Sequence, residues 1–174
     1  LKRLLACVPN LKRLRLSSID PAEIDQDLME IILNEERLLP HLHLSIQSGD
    51  NLILKRMKRR HDRETVINLC KKINSIRTEF TFGADIIVGF PTETDENFYN
   101  TVNLLKVCNF TNIHIFPFSP KKGTPASRMP QVKEEIKKQR VQILRKESQK
   151  LLHRNLNKKI GKLSTILFES NKKS

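Results

Sequence analysis

Aromatic side chains make up only 5% of this chain, with no Trp and a single Tyr, so a surface built to stack many exposed bases has little to draw on. Cysteines are equally sparse, and Cys7, Cys70 and Cys108 stand far apart in apolar company. That set excludes a disulfide framework and a C-x-x-C metal site, fits a reducing cytoplasm, and predicts buried free thiols acting as small hydrophobes. No run of 18 or more apolar residues occurs, so the sequence offers no membrane span. Walker-type phosphate loops, G-x-G-x-x-G fingerprints and H-E-x-x-H are missing, and no nucleophile is paired with a base, so no catalytic residue is assigned. The first residues, Leu1 to Cys7, read as the back half of an amphipathic helix, too polar and short for a signal peptide. The chain is expected to begin inside a structural element.

What is present is a core and a charge. At 174 residues and 38% hydrophobic content, the chain has material for one ordinary domain. The formal net charge is +13, and residues 131–174 hold 13 Lys or Arg against four Glu. A second cluster gathers Lys55, Arg56, Lys58, Arg59, Arg60 and Arg63. Such clusters are the salt-sensitive footprint of a nucleic-acid partner, although a solvated basic face explains the charge equally well.

Along the chain, short apolar runs alternate with amphipathic stretches. Strands are expected at Arg13 to Ile19, His41 to Ile46, Phe80 to Val88 and Asn112 to Phe118, with helices between them. Asp20-Pro21-Ala22-Glu23 reads as a helix start continuing through Ile32, Asp50 and Asp62 as caps of the next two helices, and Thr94 as the cap of a fourth. Pro130 is expected at the mouth of a long basic helix reaching about Asn157, and Leu163 to Phe168 reads as a final strand. Repeated strand and helix alternation means a parallel α/β sheet with right-handed crossovers. Polar residues follow the carboxyl ends of successive strands, namely Ser17 and Ser18, Gln47 and Ser48, Thr92 and Glu93, and Ser119. That rim is where β/α barrels place their chemistry, which favours a partial barrel over a doubly wound sheet.

Three stretches could carry chemistry. His41 and His43 alternate in one strand and share a face, but without a third ligand at a telling spacing they read as a hydrogen-bonded polar pair and not a metal site. Gln47-Ser48-Gly49-Asp50 is a turn whose glycine permits close approach and whose polar groups can bind a hydroxylated or carboxylated group, or it is simply a well-capped turn. Gly89-Phe90-Pro91-Thr92-Glu93-Thr94 combines a glycine, flat apolar surface and a carboxylate at a helix mouth, a loop able to hold a purine ring. Asp85, in the strand that feeds it, is an acid in need of a partner.

Four motifs in order then carry a resemblance: His41 to Gly49, Leu54 to His61, Gly83 to Thr94, and His114 to Pro120 with Gly123-Thr124-Pro125-Ala126. Together they resemble the radical S-adenosylmethionine methylthiotransferases that modify tRNA. Arg15 to Pro21, Pro40 to Leu44, Met57 to His61 and Arg128-Met129-Pro130 point to the branch acting on threonylcarbamoyladenosine. The resemblance spans about Leu1 to Ser170.

It implies an iron-sulfur domain, then a partial β/α barrel, then a small tRNA-gripping TRAM domain. It also implies S-adenosylmethionine as cofactor, cleaved at a four-iron four-sulfur cluster so that a methylthio group is installed at C2 of the adenine. By resemblance, Gln47 and Ser48 face the ribose or amino-acid end of S-adenosylmethionine, and Gly49 beside them belongs to the cofactor-binding set. Asp85 stands behind the Gly89, Phe90, Pro91 and Glu93 loop, which with Phe116 forms the adenine shelf. Arg56, Arg59, Arg60, Lys121 and Lys122 are the candidate RNA contacts, the two lysines best placed because they follow a strand on the active rim. The family's C-x-x-x-C-x-x-C cluster motif is missing from the chain. The expectation is therefore a fragment: a barrel part at 1–130, a basic linking helix at 131–160 and the start of a truncated TRAM domain at 161–174. It is expected to be inactive alone, to associate through its open sheet edges, and to be completed by an N-terminal half on another polypeptide. The alternative is a non-catalytic basic RNA-binding module derived from that barrel.

Overall fold

The computed structural model describes residues 1–167. Its centre is a three-stranded parallel sheet of β1 (His41–Gln47), β2 (Thr81–Val88) and β3 (Phe110–Pro117), in that spatial order. Helices α1 (Lys2–Cys7) and α2 (Gln26–Asn34) precede the sheet, α3 (Asn51–Arg56) and α4 (Arg63–Ile76) connect β1 to β2, and α5 (Asp95–Val107) connects β2 to β3. Helix α6 (Glu134–Asn157) follows a loop that contains the 3-10 turn Pro125–Arg128. Strand order that advances without reversal winds a sheet in one direction, as in a barrel; a doubly wound sheet reverses at a switch point.

Helix starts follow local chemistry. The carboxylates of Asp50 and Asp62 accept from the N–H groups of Ile53 and Thr65, and Thr94 exchanges bonds with Asn97 in a capping box. Burial alternates along β1: Leu42, Leu44 and Ile46 are fully covered while His41, His43, Ser45 and Gln47 are half-covered. The covered face continues through Phe82, Ala84, Ile86 and Val88 on β2 and Ile113 on β3, where helices pack upon it. Val141, Leu144 and Leu151 bring α6 into this same core. The opposite face carries the polar set and, among the described residues, no helix layer covers it.

Several expectations shift. The first of four expected strands, Arg13 to Ile19, is not continuous. It touches the sheet through isolated parallel bridges, Leu14 with Leu38 and Ile19 with Leu44, so the regular sheet has three strands. Leu14 and Leu16 pack on the core only in part, too little apolar contact to hold a full ladder. Asp20 starts only a 3-10 turn, Pro21–Glu23, and Asp25 then caps α2 afresh by accepting from Leu28 N–H. Pro130 lies outside α6, where its carbonyl accepts from Thr92 N–H and fixes the loop across from it. Leu163 to Leu167 form no strand, and Phe168 lies outside the described residues.

Candidate functional site

Parallel pairing sets the polar face. Asp85 is level with His114, Ile87 with Phe116, and Gly83 with both His43 and Asn112. His43 is thus one pair of residues behind Asp85, and its ring must lean along the sheet to reach it. Gly83 makes that possible: a Cβ there would sit 2.6 Å from His43 Nδ1. His43 Nε2 lies 2.9 Å and His114 Nδ1 3.1 Å from Asp85 Oδ1, with the two rings 4.7 Å apart. Ser18 donates to Asp85 Oδ2 at 3.3 Å and shares a 2.7 Å bond with Ser45. The acid that needed a partner has three.

The expected pairing of His41 and His43 holds as a shared face, and each imidazole has its own bond. His41 Nδ1 meets Thr81 Oγ1 at 2.9 Å, while its Nε2 is buried without a partner among the described residues. His114, Ser18 and Ser45 were missed as members of the cluster. The period-2 alternation Asn112-x-His114-x-Phe116 put His114 on the same face, but only the strand register could tell that it meets Asp85.

The two loops at the carboxyl ends divide their residues between the open face and the packing behind it. Gln47 has a left-handed backbone, φ 72°, where the β1 ladder slips, and its amide makes no side-chain hydrogen bond among the described residues. Ser48 turns inward, fully buried, with its hydroxyl 3.3 Å from Thr101 Oγ1 and accepting from Asp50 N–H. The close approach that Gly49 permits is taken by α5, since a Cβ would stand 2.7 Å from Thr101 Cα. Gly89, at φ +69°, leaves room for the Lys137 stem, and Phe90 is buried edge-on to Phe118 at 5.1 Å. Pro91 is buried as well. Glu93 Oε2 accepts from Gly89 N–H at 2.7 Å and from Arg140 Nη1 at 2.6 Å, and burial pushes this carboxyl above its usual range despite the arginine. Of the expected adenine shelf, Phe116 is the ring that stays open, 50% exposed.

The basic residues separate too. Arg59 donates to Asp20 Oδ2 at 2.9 Å and to the Ser45 carbonyl at 2.6 Å, Arg60 pairs with Glu23, and Arg56 bonds the Thr92 hydroxyl. Arg63 is spent on the Gly49 and Asn100 carbonyls. Lys121 and Lys122 are exposed and make no side-chain hydrogen bond or ion pair among the described residues.

The cysteines correct one expectation. Cys70 and Cys108 are buried against each other, and contact with the Cys108 sulfur together with burial pushes the Cys70 thiol up; Cys7, however, is exposed, because α1 buries only Leu5. Iron-sulfur clusters need several thiolates converging on one point. Two buried side-by-side thiols and a remote exposed third do not converge on one point, so the residues present do not fit a four-iron cluster.

A parallel sheet wound in one direction, helices outside and polar side chains inside, defines part of a β/α barrel. The profile of the radical SAM superfamily matches residues 2–105, and the chain belongs to that superfamily. Among curated proteins it is 53% identical over 98% of its length to the threonylcarbamoyladenosine tRNA methylthiotransferase MtaB of Rickettsia prowazekii. It is 40% identical over 97% of its length to the tRNA-2-methylthio-N(6)-dimethylallyladenosine synthase of Ehrlichia chaffeensis. The chain spans 41% and 38% of these two relatives. Among solved structures, coproporphyrinogen III oxidase (HemN) of Escherichia coli, a radical SAM enzyme, superimposes with a TM-score of 0.66 at 18% identity, covering 86% of this chain and 36% of the other. That likeness supports the fold alone. Among the described residues, no helix is long and apolar enough to cross a membrane.

Proposed function

We propose that this chain is the barrel part of an enzyme that installs a methylthio group at C2 of threonylcarbamoyladenosine in tRNA. The observation that carries the reading is the 53% identity across nearly the whole chain to a protein of that name, against 40% to a dimethylallyladenosine synthase. S-adenosylmethionine, when bound, supplies the radical chemistry and the methyl group. The polar inner face fits it: Gln47 offers an amide not spent on any side-chain bond, for the ribose or amino-acid end, and Phe116 offers an open ring for the adenine. Ser48, Gly49, Gly89, Phe90, Pro91 and Glu93 brace the two loops from behind and hold Gln47 and Phe116 in register. Asp85 orients the imidazoles between them.

Cluster ligands, on this reading, come from an N-terminal half carried outside this chain. Lys121 and Lys122 meet tRNA phosphates at the rim. The test is complementation of a bacterial strain lacking the threonylcarbamoyladenosine enzyme. The chain is co-expressed with the preceding part of the Rickettsia prowazekii relative, and tRNA nucleosides are quantified by mass spectrometry. Methylthiolated threonylcarbamoyladenosine should appear only when both parts are present, and Gln47→Ala should lower it at least about tenfold by loosening cofactor position. Methylthiolation of dimethylallyladenosine instead, or none despite salt-dependent tRNA binding, would overturn the reading, the latter in favour of an RNA-binding module.

A further inference from the structure

His43, Asp85 and His114 come from three neighbouring strands, and one ligand atom from each lies within 4.8 Å of the other two. Among the described residues it is the single group of three or more His, Cys, Asp or Glu with that property. The 2.9 and 3.1 Å contacts about Asp85 Oδ1 are hydrogen bonds without an ion; they are close to the roughly 3 Å between adjacent ligands of a six-coordinate ion bonded at about 2.1 Å, and would open to about 3.4 Å around a tetrahedral one. Side-chain exposure rises from 13% at His43 to 22% at Asp85 and 54% at His114, so the group opens toward the concave face. Behind it the set is braced: Ser18 holds the second carboxylate oxygen, and the missing Cβ of Gly83 lets the His43 ring lie against Asp85.

We propose that His43 Nε2, an Asp85 carboxylate oxygen and His114 Nδ1 bind one divalent transition-metal ion of the zinc or iron(II) class. Two imidazoles and one carboxylate suit such an ion better than Mg²⁺ or Ca²⁺, which favour all-oxygen sets, and three protein ligands leave further positions open on the concave side. Without the ion, Asp85 Oδ1 shares hydrogen bonds with His43 Nε2 and His114 Nδ1. Binding requires those nitrogens as lone-pair donors, so a proton carried on either one moves to the other ring nitrogen or to solvent as the metal–nitrogen bond forms. No redox step is involved, and the site stands whether or not the tRNA reading holds.

The test uses the purified chain, stripped with a chelator and titrated calorimetrically with Zn²⁺, then with Co²⁺ while ligand-field absorption is followed. One ion per chain is expected. Asp85→Asn and His114→Gln should each weaken uptake by at least about tenfold, a loss that outer-shell partners alone can reach. His114 is half exposed, so its variant should keep the native circular dichroism. Alkylating the thiols should leave uptake unchanged. Absence of stoichiometric uptake, unchanged affinity in a folded His114→Gln, or loss of uptake on alkylation would each overturn the site, the last by moving the ion to thiolates.

Discussion

His41 shows how one position on the polar face becomes sensitive to pH. Its burial, followed by the nearby positive charges of Arg15, His43 and Lys159, lowers its pKa from 6.5 to about 4. A histidine depressed in the folded state binds fewer protons there than when unfolded, so the contribution it makes to stability is present above pH 6.5 and is lost as pH falls toward 4. Urea unfolding should show the midpoint dropping over that window, by on the order of 1 kcal/mol from this residue once its partial exposure is discounted. His41→Gln should flatten the drop; an identical pH profile would assign the loss elsewhere. The alternation that put His41 on this face was readable from residues 41–47. The destination of Gly49 was not, because a glycine that admits a ligand and one that admits a packed helix look alike until the neighbouring backbone is known.

Helix α6 is the element that joins loop to barrel. Its basic side chains were read as an outer charge, yet Lys137 and Arg140 are buried, and they reach the loop after β2. Lys137 Nζ donates to the Phe118 carbonyl at 3.0 Å and to Glu134 at 2.8 Å. Arg140 bonds Glu93 and Asp95, and its guanidinium carbon lies 5.3 Å from the Phe98 ring centroid. Charge counting along a sequence cannot tell a solvated arginine from one whose partners sit about 45 residues earlier, as Glu93 and Asp95 do for Arg140, and this is why the clamp was missed. Arg140→Met leaves the buried Glu93 without its cation and should cost about 3–5 kcal/mol of unfolding free energy, with Glu93→Gln in the same chain recovering a substantial part. Equal losses in the single and double variants would show that the pair does not act as a unit. Caps were the legible feature at this scale: Asp50, Asp62 and Thr94 begin helices where local hydrogen bonding alone dictates it. The start expected at Asp20 forms, but it stops after one 3-10 turn where Ile24 is extended, and Asp25 caps the next helix afresh.

At the scale of the molecule, a net charge of +13 draws polyanions without specifying where they bind. The structure sorts that charge. Arg59 and Arg60 are engaged by Asp20 and Glu23, the latter pair at the surface, Arg63 by backbone carbonyls, and Arg140 by buried Glu93, so each of these cations already has a partner within the chain. Lys121 and Lys122 stand exposed in the loop after β3, on the same side of the sheet as the carboxyl ends of its strands. Each phosphate contact made by a lysine releases counterions, with a slope of roughly 0.7–0.9 in log affinity against log salt. Lys121→Ser with Lys122→Ser should therefore weaken binding to tRNA and shallow its salt slope by about 1.4–1.8, the product of two contacts. Arg60→Ser, which removes a cation already paired with Glu23, should change the slope by much less. Filter binding across a series of salt concentrations separates the two: equal slopes for the lysine variant and the parent chain would remove these lysines from the RNA surface, while a larger change at Arg60 would mean that the pair with Glu23 opens when RNA arrives.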